Sequence, residues 1–433
     1  MFKIHSIKIE GFWGRYNIAL PLDPKLNFII GQNGTGKTTF INMVAAALNA
    51  DFMALDKAPF RRMELTLKGS GHRNRPKIIV EKRADESTGI DSIDFRIRKS
   101  TSEPEIAFSL DSLEERRALR RNASSGSYVS PVARRSRDVT AELNGLVKTT
   151  WLSVHRSALA EQDRAQRIER PYDSTIDMKL YELSQRLTRY YAGLSSRNQQ
   201  NIDAFQKEVF LSLLNVDSSE RIFDYIRRAD TDEERSRLVE VFNKMGVPLP
   251  QIESSANRFF RNIELTKEKL TSSNANSFTL SEFSQITSFA RIKRITGKWM
   301  GLKIEESGIF RDFDLFLTHL NDLLFRKSAV LSSNFELKFR SDGGEFDLFA
   351  LSSGEKQLVI LLGEALLQDH QPFVYVADEP ELSLHVKWQE RIVPTISSLN
   401  DKSQLLIATH SPDIVGRFSE KVIDMQDILI EAR

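Results

Sequence analysis

The sequence contains no cysteine, so disulfide bonds, thiolate zinc sites and cysteine nucleophiles are all excluded. Its 7 histidines are scattered along the chain and form no local histidine-based metal motif. We find no run of about 18 apolar residues, so we expect no membrane span and no membrane partner. The formal net charge of +2 is too small to indicate a nucleic-acid partner by itself. The N-terminus alternates apolar and polar residues like a strand rather than a signal peptide, which predicts a cytoplasmic protein.

One stretch, 31–38, carries a complete phosphate-binding pattern. Its sequence is GQNGTGKT, which matches G-x-x-x-x-G-K-[ST]. The apolar run Leu26–Ile30 before it predicts a buried strand, and the unbroken run Phe40–Leu48 after it predicts a helix. A strand, a glycine turn and a helix are the context in which backbone N–H groups surround a phosphate. The predicted ATP ligands of this loop are Asn33, Gly34, Thr35, Gly36, Lys37, Thr38 and Thr39. Lys37 would contact the β- and γ-phosphates, and Thr38 would bind Mg²⁺.

The C-terminal part of the chain supplies the complementary chemistry. An apolar strand over 372–377 ends in Asp378 and Glu379, two adjacent carboxylates. Asp378 would help Thr38 hold Mg²⁺, and Glu379 would orient or deprotonate the attacking water. A further strand over 404–409 ends at His410, on the rim where α/β sheets bind ligands, so we expect His410 to contact the γ-phosphate and the water.

The chain resembles the ABC-type ATPases of the SMC, Rad50 and RecF kind in the order of five segments. These are GQNGTGKT, LSSGEKQ, VYVADEPE, LSLH and ATHSP. The motifs DEPELSLH and ATHSP are especially similar to those of the ATPases of bacterial overcoming-lysogenisation-defect proteins and related phage-defence systems, such as the Septu or PARIS ATPase subunits. The resemblance covers residues 2–50 and 345–415. It implies an α/β fold: an ABC-type P-loop ATPase head with a mixed central sheet, an antiparallel β subdomain and a large helical insertion.

The resemblance also implies a homodimer, or a higher oligomer, with two ATP molecules sandwiched head to tail between protomers. The segment that would close over the partner's ATP comprises Ser352, Ser353, Gly354 and Glu355. Leu382–His385 would couple the two sites. Family members carry a Mg²⁺- and nucleotide-sensing residue between the two halves, for which His155, Arg156 and Gln162 are the candidates.

The rest of the chain sets the predicted domain organisation. Short strands within 2–97 predict the antiparallel sheet, and the seven arginines of Arg116–Arg137, with no acidic residue among them, predict a mobile basic loop that could contact DNA or an acidic partner. The middle block predicts helices over 176–194 and 202–216 with a break at Ser195–Asn201, then over 218–245, 252–270 and 308–327. We therefore predict an N-terminal half of the head over 1–158, an insertion over 159–330 and a C-terminal half over 331–433.

Two functions fit these features. Because few residues follow His410, we expect no counterpart here of the nuclease domain that the overcoming-lysogenisation-defect proteins carry. We therefore expect the ATPase subunit of a two-component phage-defence system that regulates a separate nuclease or toxin effector. The alternative is a DNA-binding repair or recombination ATPase of the RecF or SMC type.

Overall fold

The computed structural model of the protein describes residues 1–69, 71, 74–85, 90–100, 103–111, 131–153, 175–214, 229–244, 246–271, 279–382 and 384–432. They divide into two compact units, one formed by Met1–Thr188 and Leu315–Arg433 and the other by Arg189–Asp314. Among the described helices, none combines the length and the apolar character that crossing a bilayer requires.

The bounds of the elements are as follows. The strands are β1 (Lys3–Phe12), β2 (Tyr16–Pro21), β3 (Leu26–Ile30), β4 (Arg62–Lys68), β5 (Lys77–Asp85), β6 (Ile90–Arg98), β7 (Ile106–Asp111), β8 (Thr149–Ser153), β9 (Ser328–Leu331), β10 (Leu337–Ser341), β11 (Gly344–Asp347), β12 (Phe373–Asp378), β13 (Ser403–Ala408), β14 (Val422–Asp424) and β15 (Leu429–Glu431). The α-helices are α1 (Lys37–Asn49), α2 (Phe52–Lys57), α3 (Pro131–Leu146), α4 (Thr175–Leu214), α5 (Thr231–Lys244), α6 (Leu249–Thr271), α7 (Leu280–Leu323), α8 (Ser353–Leu366), α9 (Val386–Leu399) and α10 (Pro412–Val415).

Seven strands form the predicted antiparallel sheet, in the order β15-β2-β1-β4-β5-β6-β7. In β4 the side chains alternate, so that Met63, Leu65 and Leu67 are fully buried while their neighbours are not. This period of two is what a sheet with one face on the core requires. The core below it joins these strands to α1, whose apolar face contributes Phe40 and Ile41.

The sheet that carries the site is parallel throughout, in the order β14-β3-β13-β12-β8. Every residue of β12 and β13 is buried, which explains their continuous apolar sequences. Asp378 pairs with Ala408, and Ala408 pairs with Ile29. The carboxyl ends of β3, β12 and β13 therefore meet at one edge, where α/β sheets bind ligands.

The helical unit is organised by an antiparallel pair of long helices, the part of α4 from Arg189 onward and the part of α7 up to Asp314. Tyr191 packs against the rings of Phe310 and Phe313, with centroids 5.3 and 4.8 Å apart. Further along, the Asn201 amide donates to Glu305 over 3.1 Å. A separate cluster that includes Phe260 and Phe289 closes α6 on α7.

Two helix predictions in this region are wrong. The break predicted at Ser195–Asn201 is absent, because α4 continues through it; the polar side chains there hydrogen-bond to α7 instead of ending the helix. The helix predicted over 308–327 begins at Leu280, far earlier, and ends at Leu323. In both cases tertiary packing outweighs weak local propensity.

The prediction of a basic loop over Arg116–Arg137 is also wrong in part. Residues 131–137 form the first turns of α3, while 112–130 lie outside the described residues. The sensing candidates His155 and Gln162, together with Arg156 and Ser383, lie outside them as well.

Candidate active site

The phosphate loop connects β3 to α1 as the sequence predicts. Gly31, Gly34 and Gly36 have φ values of 144°, 86° and 91°, a region that side chains rarely adopt. A Cβ at Gly36 would lie 2.9 Å from ring atoms of both Phe12 and Trp13. Both the backbone conformation and the lack of space therefore favour glycine at this position. Asn33 and Gly34 are exposed at the loop tip.

Lys37 lies at the first position of α1, with only 5% of the residue exposed. Its Nζ donates to the carbonyl oxygens of Gly31 at 2.7 Å and Gln32 at 3.0 Å. Burial lowers the pKa of Lys37 from its usual 10.5, although the carboxylates of Glu379 and Asp378 oppose that shift. A buried ammonium at a helix N-terminus makes this a strongly anion-binding position.

Thr38 and Asp378 are brought together from residues far apart in sequence. The Thr38 hydroxyl donates to Asp378 Oδ1 over 3.3 Å, and Asp378 is fully buried at the end of β12. A hydroxyl and a carboxylate are hard oxygen ligands of the kind that Mg²⁺ prefers, so the residues present fit that ion. Thr35 lies in the loop, where its hydroxyl donates to Gln32 O at 2.8 Å, and Thr39 lies in the first turn of α1.

Glu379 and His410 follow the ends of β12 and β13 and face each other. Glu379 Oε1 lies 3.6 Å from His410 Nε2, and both side chains are partly exposed, at 21% and 39%. Glu379 has a φ of 47°, and its backbone N–H donates to the carbonyl of Ala408 at 2.9 Å. A left-handed conformation in a residue other than glycine is strained, and such strain concentrates at functional sites.

The segment 352–355 forms the N-terminus of α8. Ser352 and Glu355 make a capping box, in which Ser352 accepts from the Glu355 N–H and Glu355 Oε2 accepts from the Ser352 N–H at 2.9 Å and the Ser352 hydroxyl at 2.8 Å. Lys327 Nζ donates to both Glu355 oxygens, at 2.8 and 2.9 Å. Burial alone would raise the pKa of Glu355, but these hydrogen bonds outweigh it and hold the pKa below 4.5.

That Glu355 binds nucleotide stays a prediction, and the contacts of its carboxylate within the chain give it a structural part as well. Its carboxylate caps its own helix and pairs with Lys327, so its role in this structure is to shape the helix end. Ser353 is exposed and Gly354 is buried at that end. Leu384 N–H donates to Glu381 O, and His385 begins α9 as its N-cap.

Two further residues lie near this edge, of which sequence reasoning missed Glu381. Trp13 stacks on Phe12, with ring centroids 4.9 Å apart, and the outer edge of its ring occupies the space that a Cβ at Gly36 would need. Glu381 is buried beside the loop that carries His410. Its carboxylate accepts hydrogen bonds from the Thr409 hydroxyl and the His410 N–H. The only sequence signal for Glu381 was a third acid two residues after Glu379.

Comparison with known proteins places the chain in a family. The family model described as "AAA domain, putative AbiEii toxin, Type IV TA system" matches residues 26–416. Over 108 residues the chain is 29% identical to Septu protein PtuA of Bacillus thuringiensis, an alignment that covers 22% of this chain and 27% of PtuA. Over 93 residues it is 29% identical to the "Retron Vc95 probable ATPase" of Vibrio cholerae, covering 19% of this chain and 18% of that one.

Among solved structures, the Smc head domain of Pyrococcus furiosus aligns with 100% of this chain and 96% of its own, at 13% identity and a TM-score of 0.37. The two sequence relatives, PtuA and the retron ATPase, are matched over much less than two thirds of their length. The family model, in contrast, spans the phosphate loop, both carboxylates and His410. The chain therefore belongs to this AAA-domain family.

Proposed function

We propose that this protein binds ATP with Mg²⁺ at the carboxyl edge of the parallel sheet and hydrolyses it to ADP and phosphate. The observation that carries the proposal is the approach of Glu379 to His410, 3.6 Å apart, at the same edge as the buried Lys37. Phosphoryl transfer needs positioned charge and an oriented water rather than covalent chemistry by the protein.

Each residue has a distinct part in that reaction. The N–H groups at the start of α1 and the Lys37 ammonium bind the phosphates and offset their charge. Glu379 accepts the proton of the attacking water, and His410 holds the γ-phosphate and the same water in line. Thr38 and Asp378 would hold Mg²⁺, which neutralises phosphate charge when bound.

The second part of the proposal is a head-to-tail dimer, in which α8 of one copy closes over the ATP of the other. Ser353 is exposed at the N-terminus of α8, which is an anion-binding end by virtue of its N–H groups and dipole. The acid in its first turn, Glu355, is neutralised by Lys327, so the end stays open to an anion. If the N-terminus of α8 faced the γ-phosphate of the partner's ATP across a two-fold interface, the N-termini of α1 and α8 would bind the same phosphate from opposite sides.

A mixing experiment tests the dimer. Lys37→Ala removes the phosphate contact, and Ser353→Glu places a negative charge where the partner's phosphates would lie, at a helix position that favours acids. Each variant alone should be inactive. Mixed in equal amounts they should regain about a quarter of the wild-type rate, because half the dimers are mixed and each mixed dimer has one intact site.

The control is the chain that carries both substitutions, mixed with wild type. Its mixed dimers have no intact site, so the mixture should be slower than wild type diluted with buffer. Activity of Ser353→Glu by itself, or no recovery on mixing, would refute closure of the site in trans while leaving ATP binding by the loop untouched.

For the biological role, we propose regulation of a separately encoded effector in antiviral defence. The support is the family description and the partial similarity to PtuA and to a retron ATPase. The test is to express the chain with its neighbouring genes and challenge the cells with phage. Protection that disappears in Lys37→Ala supports the role; equal survival with and without the genes contradicts it.

A second candidate, clamping of duplex DNA, is favoured by the seven arginines of Arg116–Arg137. Replacing Arg134, Arg135 and Arg137 with serine should lower DNA affinity and flatten its dependence on salt, measured by fluorescence anisotropy. A wild-type protein without salt-dependent DNA binding would eliminate this candidate.

A further inference from the structure

The loop that carries His410 is fixed by a buried carboxylate that the proposed reaction does not use. Glu381 is 9% exposed, and its Oε1 accepts two hydrogen bonds from that loop. The Thr409 hydroxyl donates over 2.7 Å, and the backbone N–H of His410 donates over 2.8 Å. One oxygen atom therefore sets the backbone position at His410 itself.

Thr409 is anchored in turn to the phosphate-loop strand. Its backbone N–H donates to Ile29 O at 3.1 Å, and its hydroxyl accepts from the Ser411 N–H at 2.9 Å. Only 1% of Thr409 is exposed. The Glu381 contact thus joins the end of β12 to the ends of both β13 and β3.

A second bridge holds the other side of the loop. Gln389, on α9, accepts from the Ser411 hydroxyl at 2.6 Å and donates to Leu384 O at 3.1 Å. The Leu384 N–H donates to Glu381 O at 2.9 Å. His410 is therefore flanked on both sides by residues that are tied to the segment around Leu384.

This arrangement is unfavourable for stability alone. A buried carboxylate bonded only to neutral donors is costly, and Glu381 Oε2 has no hydrogen-bond donor within the described part of the chain. Holding the His410 ring at 3.6 Å from Glu379 is a geometric gain that could offset it, since an error of 1 Å at a reacting group can lower a rate by about 100-fold.

We propose that Glu381 is a positioning residue for ATP hydrolysis, and that Glu381 and Gln389 together form a clamp that fixes His410 relative to Glu379. The clamp also links His410 to the segment around Leu384, so displacement of that segment changes the geometry of the hydrolytic pair. This inference rests on the proposed roles of Glu379 and His410.

The test compares kcat for ATP hydrolysis with ATP affinity measured by calorimetry in Glu381→Ala and Glu381→Gln. Glu381→Ala should lower kcat by about 10- to 100-fold and leave affinity within about threefold, because the phosphate contacts remain. Glu381→Gln keeps an oxygen that accepts both hydrogen bonds, so it should restore kcat to within about threefold of wild type.

Gln389→Ala provides an independent test that leaves the buried carboxylate in place. It should lower kcat with unchanged ATP affinity, whereas Glu390→Ala, at the exposed neighbouring position of α9, should not change kcat. If Glu381→Ala does not fold, the Gln389 and Glu390 pair and Glu381→Gln still decide the question.

Three outcomes would overturn the clamp. They are a wild-type kcat in Glu381→Ala and Gln389→Ala, a parallel loss of ATP affinity and kcat, and a Glu381→Gln variant as slow as Glu381→Ala. The first would leave the proposed function intact if Glu379→Gln still fails to turn over ATP. Absence of ATP hydrolysis by the wild-type chain would instead refute the proposed function itself.

Discussion

Substitution of Gly36 by alanine tests whether the geometry of the phosphate loop is required for nucleotide binding. At a φ of 91°, a Cβ costs about 1–2 kcal/mol in backbone strain. The same Cβ would lie 2.9 Å from ring atoms of Phe12 and Trp13, and overpacking of this kind costs a further ~1–3 kcal/mol. The variant without nucleotide can relieve the strain and the overlap by moving the loop. Restoring the loop for ATP binding then costs the same free energy, which appears as lost affinity. A sum of about 2–5 kcal/mol corresponds to about 30- to 4,000-fold weaker ATP binding.

Gly34→Ala is the matched control. Gly34 has a φ of 86°, but a Cβ there meets nothing within 4 Å, so only the strain applies and the loss should be about 5- to 30-fold. Titration calorimetry with ATP and Mg²⁺ measures both variants, with circular dichroism to confirm folding. Adding Trp13→Ala to Gly36→Ala should recover part of the difference, because Trp13 supplies two of the three contacting atoms. Equal losses in the two glycine variants, with no recovery, would refute the steric argument.

Three further predictions concern the charged groups of the site. Lys37→Ala should weaken ATP binding by more than about 100-fold by calorimetry, since it removes a buried charge from the phosphates; unchanged affinity would exclude Lys37 as a ligand. Glu379→Gln should bind ATP normally but lower single-turnover hydrolysis by about 100-fold or more, and a wild-type rate would exclude Glu379 as the base. The pKa of Glu355 is held below 4.5, so its contribution to stability is present above pH 4.5 and is lost as the pH falls through the lowered value. The difference in unfolding temperature between wild type and Glu355→Gln should therefore be largest near neutral pH and shrink in acid; a constant difference would contradict it.

The site was more predictable from sequence than the helical unit, for a physical reason. Phosphate binding requires glycines and a lysine at fixed spacing, and a strand that ends in Asp378 and Glu379 places them at a sheet edge whatever surrounds it. The break predicted at Ser195–Asn201 depended on weak local propensities, which packing of α4 on α7 overrides.

The features of the site that sequence reasoning could not show involve residues whose partners are distant in sequence. Glu355 belongs to the predicted segment, but its pairing with Lys327 cannot be read from a local pattern. The contacts of Glu381 with Thr409 and His410 depend on the neighbouring positions of β12 and β13, which only the fold determines.

The ammonium of Lys37 already has two oxygen partners within its own loop, the carbonyls of Gly31 and Gln32. Entry of a triphosphate at this position is consequently an exchange of one set of oxygens for another. The side chain is held by these two hydrogen bonds, so little rotamer entropy would remain to be lost on binding, and the gain would be the difference between neutral carbonyl oxygens and anionic phosphate oxygens. Discrimination between ATP and smaller anions would then depend on the groups beyond Lys37, because any phosphate can supply anionic oxygens to this ammonium.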